Sequence, residues 1–131
     1  MVVVDSNLLI RLATCDVPAD RDAVARLIEK HEIRVPKTVL LEAEWVLRSR
    51  YAYSSAHLLA FFEYLAGLES VYLEDEDAVR WALGAAATGI DFADAMHLSA
   101  AATVGEHFYT FDKALHRKAS RLEGASVRLL R

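Results

Sequence analysis

The sequence predicts an α/β fold organised on a parallel sheet, and three observations carry that prediction. Short apolar runs rich in β-branched residues recur five times along the 131 residues. Longer stretches with apolar positions at helical spacing separate them. Strand, helical crossover, strand is the order in which a parallel sheet acquires helices on both of its faces.

The elements follow in order. Residues 2–4 are three valines, stiff side chains that favour extended backbone, and helices at 7–14 and 20–31 follow. A second strand at 33–35 leads to helices at 38–51 and 55–68, with Ser54 or Ser55 placed to cap the latter. A third strand at 71–73 precedes Glu74-Asp75-Glu76-Asp77, which reads as a capped, solvated helix start, then helices at 76–88 and 92–104. The fourth strand, 108–110, is followed by a helix at 113–121, and the fifth spans 127–130. With 54% apolar residues and no repeat or linker, residues 1–131 are expected to form one domain with a real core.

Composition excludes several classes. The single cysteine, Cys15, permits neither an intramolecular disulfide nor a cysteine-based zinc cluster and is assigned to the core. The N-terminus has no basic segment ahead of a long apolar one, and the most apolar stretch, 81–105, is interrupted by Asp91 and Asp94; a cytoplasmic protein without a membrane span is expected. Net charge is −4 but uneven. Residues 113–131 carry six basic side chains against Glu123 alone, a local charge of +5 that leaves −9 on residues 1–112. A basic end of this kind suits a phosphate backbone, although for the charge run alone a solvated amphipathic helix end with a basic tail is the favoured explanation.

Four acids, distant in sequence, each follow or face an apolar segment. They are Asp5 after Val2-Val3-Val4, Glu42 within Leu40-Leu41-Glu42-Ala43-Glu44-Trp45, Asp94 within Asp91-Phe92-Ala93-Asp94-Ala95-Met96-His97-Leu98, and Asp112 after Tyr109-Thr110-Phe111. Ionised carboxylates in apolar surroundings need a counter-charge, and no inward bases match them, so a divalent cation is the compensating charge. Functional groups of parallel sheets collect beyond the carboxyl ends of strands, where Asp5 and Asp112 fall. On a helical wheel, Val39, Ala43, Val46 and Leu47 define one face with Glu42 at its border, while Glu44 points away toward Arg48. Each acid also has a simpler role: Asp5, Asp91 and Asp112 as helix caps, Asp94 as a favourable charge in a first turn, Glu42 as a half-exposed helix residue. Their convergence on one edge is what favours a site.

No catalytic Ser-His-Asp order and no glycine-rich phosphate loop is present. The histidines lack metal-set spacing; His97, one position from the face bearing Asp94, reads as a partly buried, hydrogen-bonded side chain. Trp45, Phe61, Phe62, Tyr64 and Trp81 fall on apolar helix faces, as core or as dimer surface.

Val3-Val4-Asp5-Ser6-Asn7-Leu8-Leu9, the helix around Glu42, Asp91-Phe92-Ala93-Asp94-Ala95-Met96 and Tyr109-Thr110-Phe111-Asp112-Lys113, in this order and spacing, resemble the PIN-domain ribonucleases. Within that superfamily they are similar to VapC toxins of bacterial toxin–antitoxin pairs. The resemblance covers essentially the whole chain. It implies a three-layer sandwich with a central five-stranded parallel sheet, the first strand in the middle and beside the fourth. It also implies that Asp5, Glu42, Asp94 and Asp112 bind Mg²⁺ or Mn²⁺ and catalyse. Ser6, Asn7, Asp91 and Thr110 would support them; Ser6 is a mild departure, since Thr is common there. Arg11, Lys113, His116, Arg117 and Lys118 are the implied RNA contacts, and a VapB-like antitoxin and a second copy of the chain are the implied partners. Carboxylate oxygens suit these hard cations better than zinc, and metal-activated water attacking a phosphodiester is the implied chemistry. A phosphoryl-transfer enzyme of the haloacid-dehalogenase type needs an Asp two residues after Asp5, where Asn7 stands. A non-catalytic binding module on the same scaffold is the other alternative.

Overall fold

The computed structural model describes residues 1–131, which group into two compact units, Met1–Glu74 and Asp75–Arg131. All five strands and seven helices lie within a few residues of their predicted places.

The first unit contains β1 (Val2–Val3), α1 (Ser6–Thr14), α2 (Pro18–Lys30), β2 (Ile33–Val35), α3 (Lys37–Arg50), α4 (Ser55–Gly67) and β3 (Val71–Leu73). Its strands are parallel in the order β1-β2-β3, with Val2 opposite Ile33, and Ile33 opposite Val71. Ile33, Val35, Val71 and Leu73 are buried, and α1, α2 and α4 supply Leu9, Val24 and Leu65 to the same apolar interior. The residues between them point the other way. Val3 is 64% exposed and Tyr72 44%, with Arg34 exposed between them. The strands therefore alternate, inward then outward, as a sheet covered on one face does.

The second unit contains α5 (Glu76–Ala87), α6 (Phe92–Ala102), β4 (Phe108–Thr110), α7 (Lys113–Ala119) and β5 (Val127–Leu129). Helices α5 and α6 pack against each other, and both bury small residues, Ala78, Ala82 and Ala85 on α5 and Ala95 and Ser99 on α6. β4 and β5 are parallel, Tyr109 opposite Arg128, and α7 packs on β5 with Leu115 and Ala119 buried. Gly89, at φ +107°, ends the turn after α5 in a conformation that side chains rarely adopt. Gly124, at φ +85°, leaves no more than contact distance, 3.4 Å, between a Cβ there and the Trp81 indole nitrogen.

Structure and expectation differ at several points. Hydrogen bonding forms one ladder of three strands and one of two, not a single ladder of five. In β1 only Val2 and Val3 contribute, and the ladder is already thinning at Val4, whose N–H reaches the Arg34 carbonyl at 3.4 Å. β2, β3, β4 and β5 each carry an exposed residue at their middle position. Cys15 is exposed rather than core: α1 terminates there in the left-handed conformation, its N–H closing on the Arg11 carbonyl. No helix is long and apolar enough to cross a membrane.

Candidate functional site

The chain leaves β1 at Val4 and turns directly into α1, which puts Asp5 at the N-cap. One carboxylate oxygen, Oδ1, accepts the Leu8 N–H at 3.4 Å, the bond expected of a cap. Ser6 is buried, 5% exposed, and its hydroxyl donates to Glu42 Oε1. The first unit thus brings Ser6 and Glu42 together at the start of α1. Asn7 is exposed in the same turn. Arg11 lies one turn further and pairs with Asp20 through Nε at 3.4 Å, both half-exposed.

Glu42 is exposed, contrary to the wheel, and Glu44 is the buried acid at 5% exposure. The inward face of α3 is centred on Leu40, Ala43, Glu44 and Leu47; Val39 and Val46, on which the wheel was centred, lie at its edge. Two neighbours, α1 and α4, pack on α3 and fix that orientation. Arg48 meets Glu44 through Nε at 2.8 Å, so the buried carboxylate is neutralised by its own helix.

In the second unit Asp91 caps α6 by accepting the Asp94 N–H at 3.3 Å, and Asp94 sits in the first turn, half-buried. Burial pushes the Asp94 carboxyl above its ordinary range, and the charges of Asp91 and then Asp112 push it the same way; His97 and Lys118 oppose them more weakly. Asp112 caps α7 with a 2.9 Å bond from the Leu115 N–H, while the Thr110 hydroxyl accepts the Asp112 N–H at 3.0 Å. Thr110 thereby holds the turn that carries the carboxylate. Lys113, Arg117 and Lys118 project from α7 into solvent and His116 is half-buried. His97 is exposed rather than partly buried.

Three of the four singled-out acids, Asp5, Glu42 and Asp112, are therefore exposed, and the desolvation argument applies only to Asp94. Within neither unit do three or more Asp, Glu, His or Cys side chains gather closely enough to hold a metal ion. Chemically, the donors present are hard carboxylate and hydroxyl oxygens, and Asp94 has an excess of negative neighbours that a cation would relieve.

Sequence reasoning overlooked one capping acid. Glu74, read as part of a solvated run without a partner, accepts the Lys37 N–H at 2.8 Å and so closes the start of α3, whose N-cap position is Pro36 and offers no side-chain acceptor. Strand register would have found it, because Val35 pairs with Leu73 and the Glu74 N–H then bonds the Val35 carbonyl. Asp75, by contrast, makes no side-chain cap at α5.

Among curated proteins none matches the chain. The family model for the PIN domain matches residues 2–121, nearly the full length. PIN domains are usually nucleases, hydrolases acting on nucleic acids, and typically use divalent metals. Alternating parallel strands and helices, with aspartates capping the helices that follow β1 and β4, agree with that match: the chain belongs to the PIN-domain family.

Proposed function

We propose that this chain is a metal-dependent endoribonuclease and the VapC-like toxin of a toxin–antitoxin pair. The observation that carries the reading is the PIN-domain match over residues 2–121 together with carboxylates at the starts of α1, α6 and α7, Asp94 half-buried among them. A polar site that concentrates negative charge on one helix start is poor economy for folding alone and suited to a hard cation.

Asp5, Glu42, Asp94 and Asp112 are assigned to Mg²⁺, with Mn²⁺ as a substitute, some of them acting through water because Mg²⁺ keeps much of its hydration. When bound, the ion would acidify a water and offset charge on a phosphodiester. The chain's own residues orient that chemistry. Ser6 holds one Glu42 oxygen, Thr110 fixes the Asp112 turn, and the two capping bonds hold Asp5 and Asp112 each by one oxygen. Lys113, His116, Arg117 and Lys118 line the RNA backbone, and Arg11 joins them where its pairing with Asp20 permits. A VapB-like antitoxin is the assigned partner, an Arg of which would enter among the acids, since a guanidinium donates to two carboxylates at once. Homodimerisation and a cytoplasmic location complete the reading.

The test is cleavage of RNA by purified protein in Mg²⁺, Mn²⁺ or chelator, with Asp5→Asn and Asp94→Asn beside wild type. Cleavage that needs metal and is lost in both variants supports the assignment; full activity in both ends it. One observation favours a non-catalytic binding module instead, namely that Asp5, Asp91 and Asp112 all have capping duties that explain their presence. Binding of RNA without metal-dependent cleavage would select that alternative.

A further inference from the structure

The β4–β5 ladder carries an exposed surface that the acids leave unexplained. Tyr109 is 62% exposed and Arg128, its partner in register, is exposed on the same face. The Leu130 N–H donates to the Thr110 carbonyl at 2.8 Å just past β5, and Leu130 is 48% exposed; Phe111, in the bend directly after β4, is 66% exposed. Their opposite numbers, Phe108, Thr110, Val127 and Leu129, are half-buried, so this face is turned outward by the alternation of the strand. Two bare aromatic rings and a leucine on a two-stranded ladder form an apolar patch of the sort that marks a binding surface.

We infer that Tyr109, Phe111 and Arg128 form a stacking platform for single-stranded nucleic acid, the RNA that the nuclease reading assigns. Charge decides the occupant. The patch lies in the only strongly basic part of the chain, Arg128 within it and Arg131 at its end, and residues 113–131 carry +5. Side chains two apart on a strand stand about 6.6 Å apart, a spacing that lets unstacked bases of an extended strand each meet one ring. Aromatic rings accept any base by stacking, and a guanidinium can stack or neutralise phosphate. Phe111 immediately precedes Asp112, so a strand lying on the platform passes directly to that carboxylate.

The inference rests on the nuclease reading, and its test separates the two. Affinity is measured by fluorescence anisotropy with an unstructured labelled RNA 12-mer and with a duplex of equal length, in chelator so that neither is cut. Tyr109→Leu and Phe111→Leu should each weaken single-strand binding roughly 5- to 100-fold while leaving duplex binding unchanged. Tyr109→Trp should bind as wild type does, and Arg128→Gln should lower the salt slope by about 0.7. All three side chains are exposed, and the four variants should melt as wild type does. If wild type binds the strand and the leucine variants bind it equally, the platform is refuted and the nuclease reading stands. If wild type neither binds nor cleaves RNA, both fall. If the leucine variants lose self-association by light scattering while keeping RNA affinity, the face belongs to a second copy and the platform is refuted.

Discussion

Asp112 is both a helix cap and an assigned metal ligand, and two substitutions separate the roles. Asp112→Ala removes the side chain that accepts the Leu115 N–H at 2.9 Å. Loss of an N-cap costs about 1 kcal/mol, and the exposure of Asp112 lets water take over part of the bond, which keeps the value near that centre. Unfolding entropy near 2.1 cal/mol/K per residue gives about 0.28 kcal/mol/K for 131 residues, so the melting temperature should fall by about 4 °C. Asp112→Asn keeps an acceptor of equal capping strength and removes a charge that opposes the ionisation of Asp94. Its metal-free melting temperature should stay within about 2 °C of wild type, since the two residues cap alike to within about 0.5 kcal/mol.

Activity should divide differently. Both substitutions remove the negative charge, so both should lower metal-dependent RNA cleavage by two orders of magnitude or more, about 2.7 kcal/mol of barrier. The assays are calorimetric melting in chelator and cleavage of a labelled RNA in Mg²⁺. A cap without catalytic work predicts the reverse of this pattern: activity kept in Asp112→Asn and impaired in Asp112→Ala only as far as stability is. That outcome would remove Asp112 from the site.

Further predictions follow from the same groups. The folded Asp94 carboxyl keeps its proton to higher pH than the unfolded chain does, so the native state binds more protons in that window. The contribution of Asp94 to metal-free stability is therefore present at low pH and lost as pH rises through the titration of the folded carboxyl, and Asp94→Asn, titrated by melting temperature, should remove that loss. Mg²⁺ competes with that proton, so its affinity by calorimetric titration should rise over the same window; a pH-independent affinity would separate Asp94 from the ion. Added Mg²⁺ should raise the melting temperature of wild type more than that of Asp5→Asn, because only the state that binds the ion is stabilised. For buried Glu44 and its exposed partner Arg48, Arg48→Ala should destabilise by about 1–3 kcal/mol, whereas adding Glu44→Leu to it should recover most of the loss, since the unpaired buried carboxylate is the source of the penalty. Equal melting of the single and double variants would contradict this.

How much of this was legible in the sequence depends on the range of the interaction that decides each feature. Strand and helix positions were legible because they are local: the valine run at 2–4, Ile33-Arg34-Val35 with its apolar alternation, and Ser54 accepting the His57 N–H at 3.1 Å, state themselves within a few residues. Sheet connectivity was not, because pairing partners are fixed by contacts distant in sequence. Nor was the inward face of α3, which depends on which helices pack against it. A shift of the wheel toward Leu40 exchanges Glu42 for Glu44 as the buried acid.

The acids at strand-to-helix junctions show a deeper limit. Capping and metal binding ask for the same thing, a short carboxylate held at a helix start with an oxygen to spare, so residue type and position cannot tell them apart. Asp91 and Asp94 break the degeneracy, because a helix needs one cap and α6 has two acids within its first turn and cap. The second is half-buried, and burial first, then the charges of Asp91 and Asp112, raise its proton affinity. An acid kept where burial and like charges oppose its ionisation, beyond the one cap that the helix needs, is the physical ground for proposing Asp94, rather than Asp91, as a metal ligand.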